Sequence, residues 1–133
     1  MILFVCESNS ARSPIAEAIF SHLCPSVLVQ SAGFRGSYIR PQVRLVLEEH
    51  SIDHGDLRSK DLFGVELDEV SLAIVLCLPE EAPRLPRRIE KRNWPLPDPL
   101  SAPMSEWDES FRECRDDLWT RITKLVKNIE HLP

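Results

Sequence analysis

Apolar and polar positions alternate in blocks that predict a regular succession of elements. Ile2 to Val5 is a short apolar run that breaks at Cys6 into a polar, turn-rich stretch, which predicts a buried strand. Ser13-Pro14 reads as a helix start, with Ser13 as cap and Pro14 at the first helical position. Ile15, Ala16, Ile19, Phe20 and Leu23 then recur at helical spacing. Val27 to Ser31 predicts a second strand, with Ala32-Gly33 ending it in a turn. Pro41 opens another helix with Val43, Val46 and Leu47 on one side. "LAIVLCL", Leu72 to Leu78, is the longest apolar run and predicts a central strand. Pro79, Pro83 and Pro86 limit the next stretch of chain to short helical pieces. Arg92 to Leu96 predicts a fourth strand. A long helix fits from Trp107 to Ile129, with Phe111, Cys114, Leu118, Ile122, Leu125, Val126 and Ile129 inward.

This succession of strands and helices predicts an α/β fold, a parallel sheet covered by helices on both faces. In such sheets ligands bind beyond the carboxyl ends of the strands. Prolines crowd residues 79 to 103, which predicts a loop-rich stretch bordering the site.

Composition narrows the class. At 133 residues the chain predicts a single domain with a real core. A net charge of −5 argues against general nucleic-acid binding, although a small basic site can still attract an anion. No stretch approaches the roughly 18 consecutive apolar residues of a membrane helix. The apolar start is short and lacks a basic flank, so it does not read as a signal peptide. Cys6, Cys24, Cys77 and Cys114 show no CxxC pairing. Neither a zinc site nor a disulfide framework is expected, and the thiols read as reduced, in a cytoplasmic protein. The histidines His22, His50, His54 and His131 show no ligand spacing, and no cofactor or metal is implied.

Candidate chemistry concentrates in "CESNSARSP", Cys6 to Pro14. Cys6 ends the first strand, and the first helix begins near Ser13. The segment between has the length of a loop whose backbone amides, from Glu7, Ser8, Asn9, Ser10 and Ala11 onward to Arg12 and Ser13, converge with the helix N-terminus on an anion. Arg12 adds a planar, permanently charged fork that matches the oxygens of a tetrahedral oxyanion. The same positive field would favour the thiolate form of Cys6. Nucleophile and anion cradle thus share one loop.

These residues, with the "AEA" at Ala16 to Ala18, resemble the low-molecular-weight protein tyrosine phosphatase superfamily, which includes related arsenate reductases. "SAG" at Ser31 to Gly33, "SKDL" at Ser59 to Leu62, "VLC" at Val75 to Cys77 and "DP" at Asp98-Pro99 fall in the expected order. "FRECRDDLWTRI" looks more like the reductase branch. The resemblance spans nearly the whole chain and implies one domain over residues 1–133, with a four-stranded parallel sheet in the order 2-1-3-4. It implies Cys6 as nucleophile, Arg12 as oxyanion ligand and Asp98 as general acid. Asn9 would hold a left-handed turn, and Ser13 would donate a hydrogen bond to the thiolate. The chain also departs from the family pattern. Ser8 replaces a usual glycine, Ala11 a frequent cysteine, and Leu100 an aromatic residue common in phosphatases, which would weaken the grip on tyrosine phosphate.

One site supports several functions. The main expectation is a phosphomonoester hydrolase working through a cysteinyl phosphate on small or protein-borne phosphate esters. The alternative is an arsenate reductase, in which Cys6 attacks arsenate and a second thiol releases arsenite, with thioredoxin or a small thiol as reductant. Thioredoxin-coupled members carry two further cysteines after the third strand, whereas only Cys77 is present here. Cys77 reads most simply as a core residue and alternatively as a resolving thiol near Cys6. A non-catalytic oxyanion or phosphopeptide binder is the third reading, and joint retention of Cys6, Arg12 and Asp98 argues against it.

Overall fold

The computed structural model describes residues 1–81 and 84–130. Pro83 and His131 lie outside them. Four strands, β1 (Ile2–Cys6), β2 (Val29–Gly33), β3 (Leu72–Val75) and β4 (Glu90–Asn93), form one parallel sheet in the order β2-β1-β3-β4. Three α-helices, α1 (Arg12–Leu23), α2 (Pro41–Glu48) and α3 (Trp107–Glu130), complete the α/β domain.

Side-chain alternation along β1 divides the interior. Ile2, Phe4 and Cys6 face a core built with α1, α2 and α3, whereas Leu3 and Val5 face a second, smaller core. That second face is covered by 3-10 helices at Leu62–Gly64 and Leu67–Glu69 and by Leu85 and Ile89. Helices thus lie on both faces, but the α-helices lie on one. Between β3 and β4 the described residues hold only a 3-10 turn, Pro79–Glu81, as the prolines there require.

Three predicted boundaries shift. β2 begins at Val29, two residues later than the apolar run at Val27, and Ala32 and Gly33 pair with Val5 and Cys6 instead of turning. β3 stops at Val75, yet the Leu76 amide still donates to the Val5 carbonyl at 2.8 Å. β4 is Glu90–Asn93, with all four residues exposed, and not the more apolar Arg92 to Leu96. It is an edge strand, where charged side chains discourage pairing with other chains.

A three-residue clamp joins α2 to α3. Glu49 accepts from Arg112 and Arg115, and these partners pull its carboxyl down to about 2.

Candidate active site

At the carboxyl end of β1 the chain turns through residues 7–11 and enters α1 at Arg12. Ser13 is not the helix cap. The cap position is Ala11, which has no side chain to offer, and the Ser13 hydroxyl turns inward. It lies 2.8 Å from Cys6 Sγ and accepts from Asn9 Nδ2 at 2.8 Å. Asn9 Oδ1 in turn accepts the Lys60 amide at 2.9 Å, which orients the Asn9 side chain. With its lone pair engaged by Asn9, Ser13 has its own proton free to donate to the Cys6 sulfur. The chain of donors therefore runs from Lys60 through Asn9 and Ser13 to Cys6.

Neighbouring segments fix the loop backbone. Asn9 adopts φ 52°, a left-handed conformation that asparagine tolerates better than most residues. The Ser8 carbonyl accepts from Ser59 Oγ, and the Ser8 and Ser10 hydroxyls meet at 3.0 Å. Arg35 and Arg40 donate their amides to the carbonyls of Glu7 and Ser10. Gly33 makes this close approach possible. A Cβ there would sit 2.7 Å from Asn9 N and from Ser8 C, so any side chain would push β2 away from the loop.

Arg12 is buried, and Nη1 donates to the carbonyls of Leu76 at 3.4 Å and Leu96 at 3.2 Å. Those carbonyls belong to chain just beyond β3 and β4, so three segments meet at one guanidinium. Nη2 lies 3.9 Å from Asp98 Oδ2. Asp98 also caps the 3-10 turn Pro99–Ser101 by accepting the Leu100 amide at 3.0 Å. Its side chain remains 37% exposed, which leaves it open to a bound group. Leu100 itself packs against the α-helical core. A cavity of about 560 Å³ opens here, lined by Glu7, Arg12, Leu78, Glu81 and Asp98 among others. The structure thus brings Cys6, Arg12, Ser13 and Asp98 to one place.

Cys77 does not join them. β3 does lie beside β1, with Val5 opposite Val75, so the cysteines sit at neighbouring strand ends. However, Leu76 takes the α-helical face and Cys77 the other, packed with Leu3, Val5 and Ala32. The two cysteines thus enter different cores, while Arg12 and Cys6 still lie close enough to act on the Cys77 thiol. Cys77 is fully buried, and burial pushes its thiol up, against the opposing pull of Arg12. Cys114, on α3, is pushed up to about 12 by burial. All four cysteines are free thiols, and among the described residues no cluster of His, Cys, Asp and Glu is placed to hold a metal ion.

Sequence reasoning misses the supports. "SKDL" stands out as a string, but nothing in it says that Ser59 and Lys60 hold the loop. The carbonyls of Leu76 and Leu96 that grip Arg12 carry no side-chain signal at all.

Known proteins with this pattern include phosphatases and arsenate reductases. The family model for low molecular weight phosphotyrosine protein phosphatase matches residues 1–132. An arsenate reductase of Brevibacillus brevis is 30% identical, with 97% of this chain and 96% of that protein covered. A solved arsenate reductase in the phosphate binding state is 29% identical with a TM-score of 0.77, covering 96% of this chain and 97% of that one. The tyrosine phosphatase Wzb from Escherichia coli K30, in complex with sulphate, has the same fold at a TM-score of 0.80 and 20% identity, with 96% of each chain covered.

Proposed function

This chain belongs to the low molecular weight phosphotyrosine protein phosphatase family, and we propose that it is a phosphomonoester hydrolase with Cys6 as its nucleophile. The amides of residues 7–13 and the Arg12 guanidinium hold the nonreacting oxygens of the phosphoryl group. The Cys6 thiolate attacks phosphorus, and a sulfur–phosphorus bond forms as the bond to the leaving oxygen breaks. Asp98 gives that oxygen its proton. A water molecule then loses a proton to Asp98 and attacks the cysteinyl phosphate, which releases phosphate and restores the thiolate. Ser13, oriented by Asn9, donates to the sulfur and stabilises its charge when phosphate leaves.

The observation that carries this reading is the position of Asp98. Its Oδ2 lies 3.9 Å from Arg12 Nη2, and both residues line the cavity beside the loop that begins at Cys6. Cys77, the second thiol of an internal reductase relay, faces the other core, which leaves an external small thiol as the alternative partner.

Sequence similarity favours a second reading, arsenate reduction. The Brevibacillus brevis relative is an arsenate reductase at 30% identity. In that reaction Cys6 attacks arsenate, and a sulfur–arsenic bond forms as an arsenic–oxygen bond breaks with loss of water. Cys77 then attacks the Cys6 sulfur, the arsenic leaves as arsenite having gained two electrons, and a Cys6–Cys77 disulfide remains for thioredoxin or a small thiol to reduce. Cys77 would first have to turn through the sheet end. Hydrolysis of an aryl phosphate, measured beside thiol-dependent arsenate reduction on one preparation, separates the two. Phosphate release without arsenite supports the hydrolase, and arsenite without phosphate release overturns it.

A further inference from the structure

The sheet ends at β4, and among the described residues no strand pairs with its outer edge. The Glu90 and Trp94 amides donate into the sheet, to the carbonyls of Ser71 and Val75. Bonding direction alternates along a strand, so the amides and carbonyls of Lys91 and Asn93 point outward. The edge thus offers a short row of free donors and acceptors on four exposed residues.

Strand alternation also sets what lies beside that row. Arg92 and Trp94 turn to the α-helical face, where with α3 they enclose a cavity of about 440 Å³. Trp94 and Leu125, both packed with the α-helical core, give it an apolar floor. Arg92, Arg121 and Lys124 line it against one carboxylate, Asp117. Lys124 has no ion pair among the described residues, whereas Arg121 shares Asp117 at 2.9 Å. The approach to the strand is basic as well. "RLPRRIEKR", Arg84 to Arg92, carries five cations against Glu90, in a chain whose net charge is −5.

An edge of one sign resists a second copy of itself, but the same charges attract a segment of the opposite sign. We propose that β4 and the cavity beside it dock an extended acidic segment of a partner protein, added to the sheet as a further strand. Its backbone would bond to Lys91 and Asn93, and its alternate carboxylates would meet Arg92, Arg121 and Lys124. A cationic segment would be repelled, and a neutral one would leave the cavity charges unmatched. The edge lies outside the cysteine loop and serves whichever reaction Cys6 performs.

Fluorescence anisotropy with short dye-labelled peptides on the full chain forms the test. One peptide alternates threonine with glutamate, a second alternates threonine with lysine, and a third is the acidic peptide with proline in place of half its threonines. The acidic alternating peptide should bind about ten-fold tighter than either of the others, an advantage over the lysine peptide that shrinks as salt is raised. Lys124→Glu, on the exposed face of α3, should cost about ten-fold by replacing an attraction with a repulsion. Asn93→Pro removes one outward amide at a position where an edge strand tolerates proline, and should cost as much with the fold retained by circular dichroism. Failure of the acidic peptide to bind up to about 1 mM, or equal binding of the acidic and lysine peptides, overturns the inference. So does native affinity in Asn93→Pro together with full binding of the proline peptide, which would mark a surface for any polyanion.

Discussion

Cys6 and Cys77 close two neighbouring parallel strands, yet their surroundings share little. Cys6 ends in a polar loop, 2.8 Å from a serine hydroxyl, with Arg12 and Asp98 at the same mouth. Cys77 ends among Leu3, Val5, Ala32 and Val75, with a thiol pushed up by burial. One residue of strand alternation separates them. Both are cysteines at the carboxyl end of a strand, but one meets oriented donors and a cation, and the other meets hydrocarbon. Chemistry in this fold therefore depends less on which residue ends the strand than on which face it takes and which loop comes next.

Replacing the residue on the polar side should have the largest effect. Cys6→Ser is expected to bring turnover of whichever substrate proves active to background, because a serine hydroxyl stays protonated there. Competitive binding of phosphate should survive, since the amides and Arg12 remain. Retention of more than a few per cent of the native rate, an order-of-magnitude threshold, would move the nucleophile elsewhere.

Arg12→Lys comes next. A lysine cannot span the Leu76 and Leu96 carbonyls and two oxyanion oxygens at once. Steady-state kinetics should show kcat/KM falling by about 10²–10³, the usual loss for one oxyanion donor. A lysine variant inhibited normally by phosphate would speak against a forked contact.

Asp98→Asn should cost about 10² with leaving groups of high pKa and much less with activated aryl phosphates. A uniform loss across a leaving-group series would leave Asp98 only its role as cap of the Pro99–Ser101 turn.

The apolar side should yield the smallest effect on turnover. Cys77→Ser is expected to leave hydrolysis near native in the presence of a reductant. It should lower stability by about 1–3 kcal/mol, because the new hydroxyl would be buried among side chains that cannot bond it. Thermal unfolding and kcat, measured together, check both halves. A large fall in kcat at unchanged stability would break the comparison.

The same contrast explains which features are legible in the sequence. The succession of strands and helices and the cysteine loop follow from blocks of apolar residues and from a motif whose residues carry side-chain signals, whereas the strand order is implied only by the family resemblance. The smaller core is less visible, since Val65, Val70, Leu85 and Ile89 sit in irregular chain without periodicity. β4 is displaced from its predicted span because Trp94 and Leu96 are the apolar residues there, while the strand itself is an exposed charged edge. Ser13 is not the cap that Ser-Pro suggests by propensity, because a buried thiol and amide compete for its hydroxyl. Placing Cys77 needs one fact absent from the pattern: where β3 ends and hence which face each later residue takes.

The account turns on the Cys6 end acting without the Cys77 end, and one measurement addresses that directly. Protein quenched in acid during turnover of an aryl phosphate, and in parallel after incubation with arsenate, can be mapped by peptide mass spectrometry. The account predicts a phosphoryl group on Cys6 in the first sample and Cys77 as a free thiol in both. A Cys6–Cys77 disulfide formed with arsenate, and no phosphorylated Cys6 with the ester, would contradict it.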